Sequence, residues 1–265
     1  MEIPFSRWYS VIPSRRSRRR FDPKRPIEPV ALATLVKACR EFTPFPHARA
    51  YLVNEPGQDV FKGVIGGYGK VSGAPAFIAF IGDTRGSSVQ EEVGYIGEGI
   101  VLEATALGLN TCWVGGFFKP ERVASLIDIG PSERVLAVTP VGYASESESL
   151  QEKLMTGFGR THVRLPISKI GGNSNEANLP DWIRASIEAA RLAPSAVNRQ
   201  PWGFSVQDDG ILVFVRTEGQ DFHVSKRLDC GIAMLHIELA AGNLGVKGKW
   251  KFLESPQVAK FTASP

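Results

Sequence analysis

Apolar residues along this chain fall into two periods, and the period predicts the element. Over residues 28–40 (EPVALATLVKACR), Val30, Leu32, Leu35, Val36 and Cys39 stand at helical spacing. Pro44 and Pro46 then stop the helix. Residues 50–53 read as a short strand. The run AFIAFI at 76–81, between Pro75 and Gly82-Asp83, reads as a buried strand. Residues 91–109 give the strongest helix, rich in Ala and Leu and poor in charge. Gly94, Gly97 and Gly99 weaken it intrinsically, so they predict close packing against another element. A short strand at 112–114, a turn or two of helix at 121–126 and a strand at 135–141 follow. Further on, 181–192 is an amphipathic helix with Pro180 before it, 211–215 a strand and 228–244 a second Ala- and Leu-rich helix.

Two polar stretches interrupt this pattern: SESESLQE at 145–152 and GGNSNEAN at 171–178. The second has a linker's composition and predicts a boundary between residues 1–170 and 171–265. Across it the two long helices repeat in register. Gly94 matches Gly231, Ile100 matches Ile237, Leu102 matches Leu239, Leu107-Gly108 matches Leu244-Gly245 and Trp113 matches Trp250, all at one constant offset. Chance likeness between apolar helices is the plain alternative. An ungapped register favours duplication, and hence a single chain that mimics a symmetric dimer.

Composition narrows the class. A chain of 265 residues, 43% hydrophobic and 22% charged, can bury a large core as a soluble globular protein. Three scattered cysteines, Cys39, Cys112 and Cys230, argue against a disulfide framework and fit a reducing compartment. Neither a signal peptide nor an apolar run of roughly 20 residues is present, so a cytoplasmic enzyme away from membranes is expected. The net charge of +4 is modest, but five arginines crowd into 15–20.

Three segments could carry chemistry. Arg15, Arg16, Ser17 and Arg19 gather guanidiniums and a hydroxyl that can cradle a phosphate, with Phe21 as an apolar anchor. Taken alone, the cluster reads equally as a solvated basic turn or a nucleic-acid patch. In Trp113-Val114-Gly115-Gly116-Phe117, paired glycines let backbone approach a ligand, or form an ordinary turn. In APSAVNRQPW at 193–202, two prolines stiffen a loop that carries Ser195 and Asn198, though it also suits a plain helix-to-strand connection. Gly67-Tyr68-Gly69-Lys70 lacks P-loop spacing, no Gly-x-Ser-x-Gly elbow occurs, and the four histidines lack metal-ligand spacing. His236, on the apolar second helix, reads as a core residue.

Taken together, these segments resemble the nitroreductase family of FMN-dependent oxidoreductases. RRSRRRF is similar to its phosphate motif, GEGIVLEATALGLNTCWVGGF to its central helix and Gly-Gly turn, and APSAVNRQPWGF to its flavin loop. Val141-Gly142-Tyr143 and Arg164-Leu165-Pro166 resemble its closing strand and late arginine. The resemblance implies an α+β fold, with antiparallel sheets, flanking helices and the two long helices paired at the centre. It implies that Arg15, Arg16 and Ser17 hold the FMN phosphate with Arg164 closing over it. Arg19 and Lys70 would lie near the N1–O2 edge of the ring, and Val114, Gly115 and Gly116 near N5 and O4. Pro194, Ser195 and Asn198 would reach the ring from the other half. NADH or NADPH would supply hydride, and a nitroaromatic- or quinone-like small molecule would accept the electrons, with no catalytic acid or base required.

One departure bears on the architecture. In the usual member the flavin loop follows the Arg-Arg-Ser motif, whereas here the matching stretch 43–53 lacks its Asn and Gln. The second half lacks the Arg-Arg-Ser motif, and its Trp250 precedes Lys251-Phe252 instead of Gly-Gly. The resemblance is therefore to the fused, single-chain subgroup: a monomer acting as an internal pseudo-dimer, with one flavin site and one decayed site. Dehalogenation or flavin degradation on the same fold, a flavin-binding module without turnover, and a nucleic-acid binder remain the alternative readings.

Overall fold

The computed structural model describes residues 1–57, 59–61, 71–145, 163–171, 179–207, 210–216 and 224–264. The chain begins with α1 (Phe5–Val11), α2 (Pro29–Glu41), β1 (Ala48–Val53), β2 (Ala76–Asp83), α3 (Val89–Ala106), β3 (Asn110–Thr111), α4 (Pro120–Ala124) and β4 (Glu133–Gly142). It continues with α5 (Ile167–Ile170), α6 (Asp181–Arg191), a 3-10 turn (Ala196–Asn198), β5 (Trp202–Gln207), β6 (Gly210–Val215), α7 (Lys226–Asn243), β7 (Gly248–Phe252) and β8 (Gln257–Ala263). The result is the expected α+β arrangement.

Two antiparallel four-stranded sheets have orders β1-β2-β4-β3 and β5-β6-β8-β7, which are the same order. Each carries one register shift between its inner strands, at Phe80/Ile81 in one and Val213/Phe214 in the other. Duplication is thus written in the backbone as well as in the helices. Gly171 bridges Phe204, so α5 is followed directly by pairing onto β5.

The long helices meet at their glycines. A Cβ on Gly94 would collide with the Leu228 carbonyl, and one on Gly231 with the Glu91 carbonyl. Positions 91 and 228 obey the same offset as 94 and 231, so the crossing is two-fold in all but sequence. Both helices end alike. Gly108 (φ 75) and Gly245 (φ 80) take the left-handed conformation. Leu109 N–H then reaches Ala104 O and Val246 N–H reaches Ala241 O, each at 2.9 Å. These caps end the helices at Ala106 and Asn243, short of the apolar pattern that suggested 109 and 244.

Acidic residues at matching positions fasten the loop before each sheet. Glu92 accepts His47 N–H at 2.9 Å, and Asp229 accepts Ala196 N–H at 3.1 Å. One core runs through both sets of elements, from Trp8 and Tyr95 to Trp202 and Phe261. A smaller cluster containing Phe21, Phe61, Phe77 and Val138 covers the other face of the first sheet.

Some local expectations shift. The buried stripe of α2 is Ala31, Leu35, Ala38 and Cys39, while Val30 is 78% exposed. Val30 lies at the first turn, a full rotation step from that stripe. The strand placed at 112–114 is Asn110–Thr111 plus a bridge from Val114 to Val138.

Candidate functional site

The arginine segment is extended and pinned by backbone pairing. Ser17 bridges Thr111, and Arg18 N–H donates to Thr111 O at 2.8 Å. Phe21 N–H donates to Ser72 O, and Ser72 N–H to Arg19 O, both at 2.9 Å. The buried Phe21 ring anchors the end. Arg15 is only 6% exposed. Arg16 Nη1 donates to Pro13 O at 2.7 Å and to Arg15 O at 2.8 Å.

Arg164 feels the charges of Arg15 and Arg16 and is bonded to the loop that precedes β5. Its Nη1 donates to Asn198 Oδ1 at 2.6 Å and its Nη2 to Leu192 O at 3.1 Å. Its Nε is buried and has no hydrogen-bond partner among the described residues. Burial, with the nearby charges of Arg15, Arg16 and Arg191, pushes the Arg164 pKa down to about 10 against the pull of Glu98. Burial also lowers that of Arg15, opposed by Glu98. Three neighbouring guanidiniums thus oppose the Arg164 charge, with Glu98 favouring it, while Arg191 is itself paired with Glu188. That imbalance, with an orphaned N–H, is the donor set an oxyanion such as phosphate completes.

The loop itself is tightly wired. Ser195 Oγ accepts Gln200 N–H at 2.9 Å. Gln200 Oε1 accepts Leu165 N–H at 2.8 Å, and Gln200 Nε2 donates to Val163 O at 3.0 Å. Asn198 Nδ2 also donates to Val163 O at 3.0 Å. Val197 (φ 48), Asn198 (φ 57) and Gln200 (φ 46) all hold left-handed backbone. Such a conformation costs about 1 kcal/mol or more per residue and is worst for a β-branched one. Strain of this kind gathers where a loop is shaped for a ligand. Asp229 secures the base, accepting Arg199 Nε–H at 2.7 Å. Pro194 is buried.

Val114 exchanges backbone hydrogen bonds with Val138 at 2.9 Å, which fixes where Gly115 and Gly116 begin. A Cβ on Gly115 would lie 3.0 Å from Val224, whose carbonyl accepts Arg199 Nη2–H at 2.8 Å. The turn therefore rests on residues tied to the second set's loop. Lys70 lies outside the described residues.

Sequence reading missed several participants: Glu98, Arg191, Gln200, Arg199 and Asp229. Charged residues inside otherwise apolar, glycine-bearing helices were the available signal for Glu98 and Asp229. Gln200 stood inside the quoted loop motif.

The positions equivalent under the repeat look different. Phe252 stands where the offset places Gly115, and the loop before β1 carries Phe45. Their rings lie 5.2 Å apart, and Phe45 packs 5.0 Å from Tyr95. Aromatic side chains fill that place.

Two like-built α+β halves sharing a core, with cations gathered where they meet, define the class of this fold. The profile of the family described as "Putative TM nitroreductase" matches residues 8–241, and the chain belongs to that family. A solved structure of a putative nitroreductase from Thermotoga maritima MSB8 is 20% identical. The match covers 97% of this chain and 94% of that one, with a TM-score of 0.65. That likeness is one of fold. A nitroreductase family protein from Clostridium difficile 630 is 18% identical over 66% of this chain and 99% of its own, with a TM-score of 0.45. A nitroreductase with bound FMN from Bacteroides fragilis NCTC 9343 is 17% identical over 54% of this chain and 91% of its own, with a TM-score of 0.42. No curated protein matches the chain. Among the described residues, no helix is long and apolar enough to cross a membrane.

Proposed function

We propose that the chain is an FMN-dependent oxidoreductase that takes hydride from NADH or NADPH and passes electrons to a nitroaromatic- or quinone-like acceptor. Residues 1–170 and 171–265 are its two halves, joined as an internal pseudo-dimer with one flavin site. The observation that carries this reading is the Arg164–Asn198 hydrogen bond at 2.6 Å, made beside Arg15 and Arg16.

On this reading Arg15, Arg16 and Ser17 bind the phosphate and Arg164 closes over it. Burial disfavours the charges of Arg15 and Arg164, so a phosphate dianion would gain charge-assisted hydrogen bonds while relieving that cost. Arg19 would serve the N1–O2 edge, where a cation stabilises developing negative charge; the same role expected of Lys70 falls on a residue outside the described ones. Val114, Gly115 and Gly116 offer backbone along the N5–O4 edge. Pro194, Ser195 and Asn198 close the ring from the other half. Bound FMN supplies the hydride transfer, and the side chains supply binding, orientation and charge.

The test is the visible spectrum of the purified protein, followed by anaerobic stopped-flow mixing with NADH and with NADPH. Bound flavin that bleaches within turnover time supports the oxidoreductase. Bound flavin that stays yellow makes the chain a binding module, and failure to take up FMN removes the reading altogether.

A further inference from the structure

The middle of α3 carries a charge in apolar surroundings. Glu98 is fully buried, between Gly97 under the Trp113 ring and Gly99 under the Phe42 ring. An unpartnered carboxylate there would be strongly destabilising, so its contacts have a purpose. Oε2 accepts Trp113 Nε1–H at 2.8 Å. Oε1 lies 3.0 Å from His236 Nε2 and 3.9 Å from Arg15 Nε. His236 comes from α7, is fully buried, and sets its Nδ1 2.8 Å from Ala189 O. A carbonyl oxygen only accepts, so Nδ1 carries a proton. Another proton lies between Nε2 and Oε1, because two bare lone pairs would repel there. His236 is thus held at both nitrogens, and it holds Glu98.

We propose that Glu98 is a positioning residue of the flavin slot: one carboxylate, anchored by His236 on the opposite helix, sets Arg15 against the turn Trp113-Val114-Gly115-Gly116. The inference rests on the flavin reading above. Arg15 belongs to the phosphate end of that slot and the turn to its ring end. Glu98 hydrogen-bonds the turn through Oε2, and its charge, held in place by the Oε1 contact with His236, attracts Arg15 across 3.9 Å, so it couples their separation. A ligand that must satisfy both ends binds well only when that separation matches its own length.

Two conservative substitutions test the attraction and the reach. E98Q keeps the reach, since its carbonyl accepts from Trp113 and its amide donates to a His236 that retains the Nδ1 proton, but it removes the charge and turns an N–H toward Arg15. E98D keeps the charge but withdraws it by one methylene. Dissociation constants for FMN and for riboflavin, which lacks the phosphate, are measured by fluorescence quenching. Their ratio reads the placement of Arg15 and is insensitive to general loosening of the core. We expect E98Q and E98D each to lower the preference for FMN about tenfold. An unchanged or raised ratio in either variant overturns the proposal. Where E98D does not fold, H236N replaces it, since its amide still reaches Ala189 O but no longer reaches Oε1; an unchanged ratio there has the same consequence. A wild-type chain that binds neither flavin removes the flavin reading itself, a different result from a wild type that binds both and variants that do not differ.

Discussion

Asp229 is an acid whose surroundings work against its charge. Burial pushes it up to about 6 from 3.8, and Arg199 opposes the rise. In the unfolded chain the proton leaves near the lower value, so between the two the folded state holds the extra proton. The stabilisation is therefore complete below that window and is lost as pH rises through about 6. A gap of roughly two pH units corresponds to about 3 kcal/mol. Relative to Asp229→Asn, the wild type should lose about that much stability between about pH 4 and pH 7 in urea unfolding. A pH-independent difference would contradict the assignment. Among the candidate ligands, Arg15→Ala combined with Ser17→Ala should raise the FMN dissociation constant about 100-fold or more, since two charge-assisted or hydroxyl contacts go together. Asn198→Ala should raise it about tenfold from the far side of the slot, because Arg164 loses one of its two hydrogen-bond partners. Retained flavin in the first variant argues against the phosphate assignment, and no effect in the second argues against a shared site. Residue types made these positions legible in the sequence. Their partners were not, because Arg164 meets Asn198 and Glu98 meets His236 through the tertiary fold alone.

Among the elements, periodicity exposed what was long and one-sided. The helices α2, α3, α6 and α7 and the strands β1, β2, β4 and β6 all stand where the pattern put them. Short pieces escaped. Helix α1 buries only Trp8 among its seven residues, too little for a period to show. Strand β7 alternates Lys with aromatic residues on a half-exposed surface, and β5 and β8 were left unread beside it. The glycines of α3 announced close contact, though not with what. Gly94→Ala places a methyl group on the Leu228 carbonyl, and the helices must separate to admit it. We expect a loss of about 2–4 kcal/mol by chemical denaturation, or no folded protein. Gly108→Ala meets no atom within 4 Å and suffers only from its φ of 75, so about 1 kcal/mol is expected. Equal losses at the two positions would refute the two-fold crossing as the critical packing point.

For the whole molecule, duplication was visible in the helical register and is repeated in the sheet order. Which copy would hold the proposed flavin is read from motifs present or missing, and at the place equivalent by the offset Phe45, Phe252 and Tyr95 pack together. Titration with FMN should accordingly saturate at one flavin per chain, measured by absorbance at equilibrium. Two per chain would show that the aromatic cluster opens.

The glycine crossing also has a consequence for behaviour at low abundance. When a pocket is shared between separate protomers, diluting them below their association constant empties it. On the proposed single-chain site the two walls belong to one covalent chain, and each would see the other at a fixed effective concentration however scarce the protein becomes. Occupancy should then depend on free cofactor alone, and specific activity should stay level across serial dilution.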